Sequence, residues 1–451
     1  MKPALDAIRE CLEGSIPGVM ATCAPDGTPN VAYLSQIEYI DGEHLALSFQ
    51  FFNKTRRNIL ANPQARLLLI DPRTAAMYRL SLHYLRTEME GPLFERMRAK
   101  LAGIASHTGM SGVFRLKGSD VYRVLAIELL PGAALPPPPA RGSLLAALRT
   151  SAQRLAGAVD LESLMEATLR SLQDDFDIRH AMILLLDGGG EKLFTLASCG
   201  YESSGIGSEI PLGEGVIGVA AREGTPIRIA HMTGEYAYGR AIRDAVSQGD
   251  SAAQLETGIP LPGLAESRSQ LAVPITACRR LHGVLYVESP QDLRFTYDDE
   301  DALVTLASQL GLAINLFRDD GEAAGEPVNA GECASPLAGV PVSVRHYAEN
   351  DSVFIGDDYL IKGVAGAILW ALLRDHVERQ RSVFCNRELR VDPRIRLPDL
   401  SDNLEARLIL LQRRLVERAA CVRIEKTGRG RFRLCVKRPL QLLDVSAGGR
   451  S

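Results

Sequence analysis

The side chains best suited to chemistry are arginines and lysines near the end of the 451-residue chain, whose charged groups could bind phosphates. Leucines recur at helical spacing from residue 404 to residue 415, so a helix should start at about Asn403 and bury this face. Another stripe of the same helix carries Arg407, Arg414 and Arg418. We expect these three arginines to face solvent or a polyanion, such as the phosphate backbone of DNA.

A basic hairpin should follow this helix. Apolar and charged residues alternate from Val422 to Glu425, a turn is expected at residues 427–430, and the alternation resumes from Phe432 to Val436. One face of the hairpin is therefore apolar and the other cationic. The basic residues that we assign to DNA contacts here are Lys426, Arg429, Arg431 and Arg433. Such charges supply affinity for phosphates, whereas base contacts supply specificity.

The phrases Leu411-Gln-Arg-Arg-Leu415 and Val422-Arg-Ile-Glu-Lys-Thr-Gly-Arg-Gly-Arg-Phe-Arg-Leu434 resemble the end of an OmpR-type winged helix. The resemblance covers residues 340–440. It implies a winged helix-turn-helix domain whose recognition helix enters the major groove while the wing follows the backbone. The segment 390–400 is longer and richer in proline than this family's pattern. The alternative interpretation is a winged helix that binds protein and carries a solvated basic hairpin.

A second basic segment lies near the start of the chain. Residues 53–61 should form a short helix after a strand, and its first turn contains Lys54, Thr55 and Arg57. The N-terminus of a helix offers free N–H groups and a positive dipole end, so this turn could hold a phosphate. Ser48 and Gln50 lie at the end of the preceding strand.

The phrases Asp26-Gly-Thr-Pro-Asn30, Leu47-Ser-Phe-Gln50 and residues 53–63 resemble the FMN-binding split barrel of the pyridoxamine 5′-phosphate oxidase superfamily. The resemblance covers residues 1–133. It implies that FMN is bound, with its phosphate on Lys54, Thr55 and Arg57 and its ring beside Ser48 and Gln50. A phosphate-binding arginine of the oxidases is replaced near Asn30, and the terminal substrate segment has no counterpart.

Two alternatives concern this first domain. A vestigial barrel could serve only for dimerisation, with its basic turn solvated. His83 and His107 would be the candidate ligands for haem, but an isolated histidine is more often structural, so haem is not expected.

The middle of the chain, residues 143–318, resembles a GAF domain. The resemblance rests on Leu271-Ala-Val-Pro-Ile275, Gly283-Val-Leu-Tyr-Val-Glu-Ser289 and Phe295-Thr-Tyr-Asp-Asp-Glu300, in this order. It implies a small ligand held between a sheet and its covering loop, for which Tyr236, Tyr238 and Arg240 are candidate contacts. The fold does not identify the ligand. A GAF domain without ligand, which only transmits a signal or dimerises, is the alternative.

Composition agrees with a three-domain protein. A hydrophobic content of 46% is typical of globular chains, and the net charge of −4 excludes a global basic field. A proline-rich linker is expected at residues 134–142 and a flexible one at residues 319–339. The fold class is multidomain α+β: split β-barrel, GAF α/β/α sandwich, winged helix-turn-helix.

The eight cysteines have no paired spacing, which favours a reducing compartment without disulfides. No apolar run approaches the roughly 18 residues that cross a membrane, so a cytoplasmic protein is expected. No metal motif or P-loop occurs, and we expect no metal.

These observations predict a cytoplasmic, homodimeric transcriptional regulator, which senses a ligand or redox state through barrel and GAF domain and binds DNA through the winged helix. The main alternative is an FMN-dependent oxidoreductase with a regulatory GAF domain. A third is an adaptor protein.

Overall fold

The computed structural model describes residues 4–12, 16–34, 36–49, 54–107, 115–139, 141–230, 259–319, 339–395, 397, 404–428 and 430–445, with only the backbone at 104–107 and 318–319. Three units follow one another, each with its own sheet. The multidomain α+β class predicted from the sequence is confirmed for the first two units.

The first unit is a seven-stranded antiparallel sheet in the order β2-β1-β5-β6-β7-β4-β3. Its strands are β1 (Gly18–Cys23), β2 (Pro29–Leu34), β3 (Ile37–Asp41), β4 (His44–Phe49), β5 (Gln64–Ile70), β6 (Met77–Glu88) and β7 (Gly118–Leu129). A 3-10 helix (Leu5–Leu12) and the helices α1 (Lys54–Ala61) and α2 (Pro92–His107) accompany them. Strand β2 pairs with β1, whereas β3 pairs with β4.

The middle unit has a six-stranded sheet in the order β10-β9-β8-β13-β12-β11. Its strands are β8 (His180–Leu186), β9 (Lys192–Cys199), β10 (Glu209–Pro211), β11 (Ile227–Ile229), β12 (Ser269–Ala277) and β13 (Arg280–Ser289). Its helices are α3 (Leu144–Ala156), α4 (Leu161–Asp174), α5 (Gly215–Glu223) and α6 (Tyr297–Asp319). Asp160 and Ser163 form a capping box that fixes the start of α4.

The last unit contains two sheets around three helices. The strands β14 (Val342–Tyr347), β15 (Ser352–Ile355), β16 (Asp358–Ile361) and β20 (Leu440–Val445) form one sheet, and β17 (Val383–Cys385), β18 (Val422–Gly428) and β19 (Arg431–Val436) form the other. The helices are α7 (Gly363–Arg379), α8 (Asn386–Val391) and α9 (Leu404–Glu417). The sequence did not indicate β20, which pairs with β14 in parallel.

The three units pack against one another. Helix α2 of the first unit lies along α5 and β11 of the second, where a side chain at Gly103 would come within 2.7 Å of Ile227. One continuous apolar core joins the middle and last units, because α9 packs between α7 and the middle unit's α4 and β9. The middle unit therefore touches both of its neighbours.

Cysteine pairing, membrane-spanning helices and metal sites can be assessed for the described residues alone. All cysteines in the described ranges are free. Within the same ranges, no helix is long and apolar enough to cross a membrane, and no group of His, Cys, Asp or Glu side chains could hold a metal ion.

Candidate functional site

A pocket of about 400 Å³ lies in the middle unit between the sheet and helix α5. The sheet contributes residues of β8, β10, β12 and β13, and the rest of the lining comes from the start of α5 and residues 261–263. The apolar part of the lining includes Met182, Ile210, Val216, Ile217, Leu261 and Pro262. A pocket of this size with few polar groups is typical of small-molecule sites.

The polar end of the pocket is organised around Glu288, which is 3% exposed. Its carboxylate accepts a hydrogen bond from the backbone N–H of Leu264 at 3.1 Å and one from the hydroxyl of Tyr286 at 3.4 Å. In the sheet, Glu288 lies between Gln270 on β12 and His180 on β8. Within residues 141–230 and 259–319, no lysine or arginine forms an ion pair with it.

A second buried polar group lies near Glu288. Burial, and then the negative charge of Glu288, raise the pKa of the Tyr201 phenol. The Tyr201 hydroxyl is buried and interacts with the Glu288 carboxylate, so the two groups form one buried polar cluster beside the pocket.

A larger cavity, of about 670 Å³, lies where the proline-rich linker meets α3 and α6. Its charged groups already satisfy one another, because Arg141 pairs with Asp299 at 3.0 Å and Arg9 pairs with Asp301 at 3.2 Å. We therefore take the pocket around Glu288 as the better candidate site.

The ligand contacts expected from the sequence, Tyr236, Tyr238 and Arg240, lie outside the described residues. Sequence reasoning missed Gln270, Tyr286 and Glu288. A signal was present, because Tyr286 and Glu288 are two residues apart on an otherwise apolar strand. They therefore share one face of a sheet that is buried on both sides.

The basic turn of the first unit adopts the expected helix. Lys54 and Arg57 are exposed in the first turn of α1, and the hydroxyl of Thr55 accepts a hydrogen bond from Asn30 at 2.9 Å. Ser48 is half-buried on β4, opposite Ser119 of β7. Gln50 lies outside the described residues.

Arg56 lies in the same turn but is directed inward. Its guanidinium pairs with Asp120 and donates to the Thr87 hydroxyl at 2.6 Å. Burial raises the pKa of Asp120, although the Thr87 and Arg56 hydrogen bonds oppose that effect. Arg56 therefore anchors α1 to the sheet, which leaves Lys54 and Arg57 as the cations of this turn that face solvent.

Two of the three helix arginines assigned to DNA are buried, so their expected exposure is wrong. Arg407 is 9% exposed and lies 4.2 Å from the centroid of the Phe194 ring on β9. Arg414 is 3% exposed and donates to the carbonyl of Leu360 at 3.1 Å. Arg407 is covered because α9 packs against the middle unit with the face that carries it, whereas Arg414 is directed towards β16 of its own unit. Arg418 is exposed.

The hairpin β18–β19 has the predicted alternation, with Val422, Ile424, Phe432 and Leu434 buried. Of its assigned cations, Arg431 is exposed, Arg433 is half-buried and Arg429 lies outside the described residues. Lys426 instead pairs with Asp160 of the middle unit at 2.6 Å. Burial opposes its charge, but Asp160 and Glu405 hold the pKa of Lys426 above its usual value. The described cations that were assigned to DNA therefore differ in their surroundings: Arg431 faces solvent, Arg433 is half-buried, and Lys426 pairs with the middle unit.

Comparisons with known proteins support the family resemblances of the first and middle units. The family model described as a GAF domain matches residues 158–315, and the one described as pyridoxamine 5′-phosphate oxidase matches residues 4–121. A search of curated proteins gave no match.

Solved structures similar to parts of the chain include the GAF domain of a phosphoenolpyruvate-protein phosphotransferase from Acinetobacter. It is 24% identical with a TM-score of 0.31, over 39% of this chain and 95% of that one. An FMN-binding protein from Syntrophomonas wolfei is 18% identical with a TM-score of 0.23, over 28% of this chain and 89% of that one. HupZ from Group A Streptococcus is 21% identical with a TM-score of 0.22, over 27% and 95% respectively.

No family model covers the last unit, residues 339–445, so its assignment rests on the residues themselves. The chain thus carries a pyridoxamine 5′-phosphate oxidase-like domain followed by a GAF domain.

Proposed function

We propose that this chain is a cytoplasmic, homodimeric regulator that responds to a small molecule. The pocket around Glu288 is its input, and the last unit is a winged helix that binds DNA as its output. The observation that carries this proposal is that the wall of the pocket is also the surface on which the last unit docks.

Two contacts connect the pocket wall to the last unit. Glu209, which lines the pocket, pairs with Lys362 at the start of α7 at 3.4 Å. Ser204, in the loop before β10, donates to Glu417 of α9 at 2.7 Å. The same loop abuts the pocket, because a side chain at Gly205 would collide with Pro262. A ligand that favours one position of this wall would therefore change how firmly the last unit is held.

The order of elements supports the winged-helix assignment. A leading sheet, the helix α7, the strand β17, the helices α8 and α9 and the hairpin β18–β19 follow one another, and β17 pairs with the hairpin. In the docked arrangement the middle unit covers Arg407 on α9. DNA binding through this helix therefore requires release of the last unit.

Release of the last unit can be tested with a substitution in the middle unit alone. A Ser204→Trp substitution places a bulky side chain against Glu417 and should weaken docking. Because the DNA-binding unit is unchanged, we expect the full chain to bind a labelled DNA duplex at least severalfold more tightly at low salt, with an affinity that falls as salt rises. Fluorescence anisotropy measures both effects.

Ser203→Trp is the matched control, because Ser203 is exposed and it is the neighbouring Ser204 that donates to Glu417. It should bind DNA as the unsubstituted chain does. Faster proteolysis after residue 339 would show that Ser204→Trp loosens the last unit. If this variant still bound no DNA, the adaptor interpretation would replace the DNA-binding one.

A flavin input through the first unit is the second part of the proposal. The exposed Lys54 and Arg57 and the Thr55 hydroxyl form a donor set that fits a phosphate group at the start of α1. FMN bound there would supply redox chemistry. The same observation favours the second candidate function, an FMN-dependent oxidoreductase, and turnover of a reductant by the purified chain would distinguish an enzyme from a sensor.

A further inference from the structure

The pocket around Glu288 places a buried negative charge beside an apolar chamber, and no cation of the described ranges neutralises it. We propose that this pocket binds a small organic cation, an amine or amidine with a compact apolar body, whose charged head pairs with Glu288. This inference rests on the proposed function, since it names the ligand class of the input site.

The hydrogen bonds of Glu288 leave capacity for such a head group. A carboxylate can accept about four hydrogen bonds, and Glu288 receives one from the Leu264 N–H and one from the Tyr286 hydroxyl, with the Tyr201 hydroxyl as a third neighbouring donor. A buried carboxylate without a cation is costly, and a charge-assisted hydrogen bond from an ammonium group would offset that cost. An anionic ligand would instead meet like charge at close range.

The pocket has two other carboxylates, Glu209 and Glu214, and their surroundings differ from those of Glu288. Glu209 already has two cations, Lys192 at 3.1 Å and Lys362 at 3.4 Å. Glu214 is exposed at the start of α5, where water solvates it. Both add negative potential, but among the three only Glu288 is buried and lacks an ion pair with a lysine or arginine of the described ranges. The geometry therefore assigns the counter-ion role to Glu288.

The remaining lining determines the body of the ligand. Met182, Ile217 and Pro262 offer apolar contacts, whereas Gln270 is held by the Ser267 hydroxyl at 3.1 Å. A ring or short hydrocarbon attached to the cationic head would bury its surface against these side chains. A large polar ligand would place its hydroxyl groups against these apolar side chains, where they would lack hydrogen-bond partners.

Isothermal titration of the full chain with four probes of one skeleton tests the assignment. Benzylamine and benzamidine are the cations, benzyl alcohol is the neutral isostere, and benzoate is the anion. We expect saturable binding of the cations, binding of benzyl alcohol at least about tenfold weaker, and no binding of benzoate. Glu288→Gln should weaken cation binding by about the same factor, whereas the exposed Glu202→Gln should leave it unchanged.

A pocket-blocking variant keeps the test decisive if Glu288→Gln fails to fold. Leu261 is 43% exposed at the edge of the pocket, so Leu261→Trp should fold and abolish binding of benzylamine. Preferential binding of benzyl alcohol or benzoate, lost in Leu261→Trp, would overturn the cation class but leave the input site standing. If no probe showed saturable binding at millimolar concentration, the cation proposal would be overturned. The DNA-release experiment with Ser204→Trp would still test the regulator function independently.

Discussion

Asp375, near the end of α7, shows how one buried carboxylate organises a segment. It is 4% exposed, and Arg394 contacts both of its oxygens, at 2.8 and 3.1 Å. Arg394 also pairs with Asp392, so one guanidinium ties the segment after α8 to the end of α7. The Arg394 hydrogen bond holds the pKa of Asp375 below its ordinary value of 3.8 although burial opposes it.

A pH-dependent loss of stability follows for Asp375→Asn. Because the folded-state pKa is lowered, the stabilisation by this pair is fully present above pH 3.8 and is lost as pH falls through the folded-state pKa. We expect the substitution to cost about 2 kcal/mol near neutral pH and progressively less in acid. Urea unfolding of both proteins at several pH values measures the difference.

Asp357→Asn is a suitable control for that series, because Asp357 is fully exposed where it pairs with Arg345. It should change stability little. A cost for Asp375→Asn that stays constant into acid would contradict the role assigned to the charge.

At the scale of elements, helix α1 could be predicted from sequence because its signals are local. The Asn62-Pro63 stop fixes the end of this helix without help from the rest of the fold. Helix α9 was equally well placed, and Leu404, Leu408, Leu411 and Leu415 are all buried as expected. Its arginine face was misjudged, because a helix pattern shows which face is apolar and not which face a neighbouring domain will cover.

Helix α1 carries a prediction about flavin. If its N-terminus holds the FMN phosphate, the double substitution Lys54→Ala with Arg57→Ala should weaken FMN binding at least about tenfold while leaving the fold intact. Quenching of FMN fluorescence on titration with the protein measures the affinity.

Arg66→Ala provides the control, since Arg66 is exposed on β5 of the same sheet and outside the basic turn. Equal affinity in the double variant and the control would show that α1 is not the phosphate site. No quenching by the unsubstituted chain would leave a barrel used for dimerisation as the better interpretation of the first unit.

At the scale of the whole molecule, the GAF domain stands between two neighbours and contacts both through the walls of its pocket. Helix α5, which lines the pocket, packs on α2 of the first unit, where Arg98 pairs with Glu223 at 3.0 Å. At the edge of this contact the Tyr297 ring lies between Arg9 and Arg228, each 4.2 Å from its centroid. Such stacking adds an attraction that depends on both domains being in place.

Glu300 is the anion on which that junction depends. It pairs with Arg228 at 2.8 Å, and although burial opposes its charge, Lys100 and Arg228 hold the pKa of Glu300 below 4.5. Glu300→Gln would leave buried cations of two domains without their shared partner, at a cost of about 3 kcal/mol. Calorimetry should show a lower unfolding temperature, with the first unit melting apart from the rest.

Asp298→Asn, an exposed acid two residues earlier, should melt like the unsubstituted chain. If both substitutions had the same small effect, Glu300 would not join the two units.

The sequence by itself determined most of the strands and helices and the two family resemblances that the comparisons support, because these depend on periodicity, caps and short phrases within one segment. It also carried the alternation of the hairpin, which is set by the pairing of neighbouring strands. Only the tertiary structure decided that Glu288 lies at the end of an apolar pocket, that Arg407 and Arg414 are covered, and that Lys426 pairs with Asp160. Those facts depend on which surfaces meet across long chain separations, and burial changes the energy of a charge far more than its neighbours in sequence do.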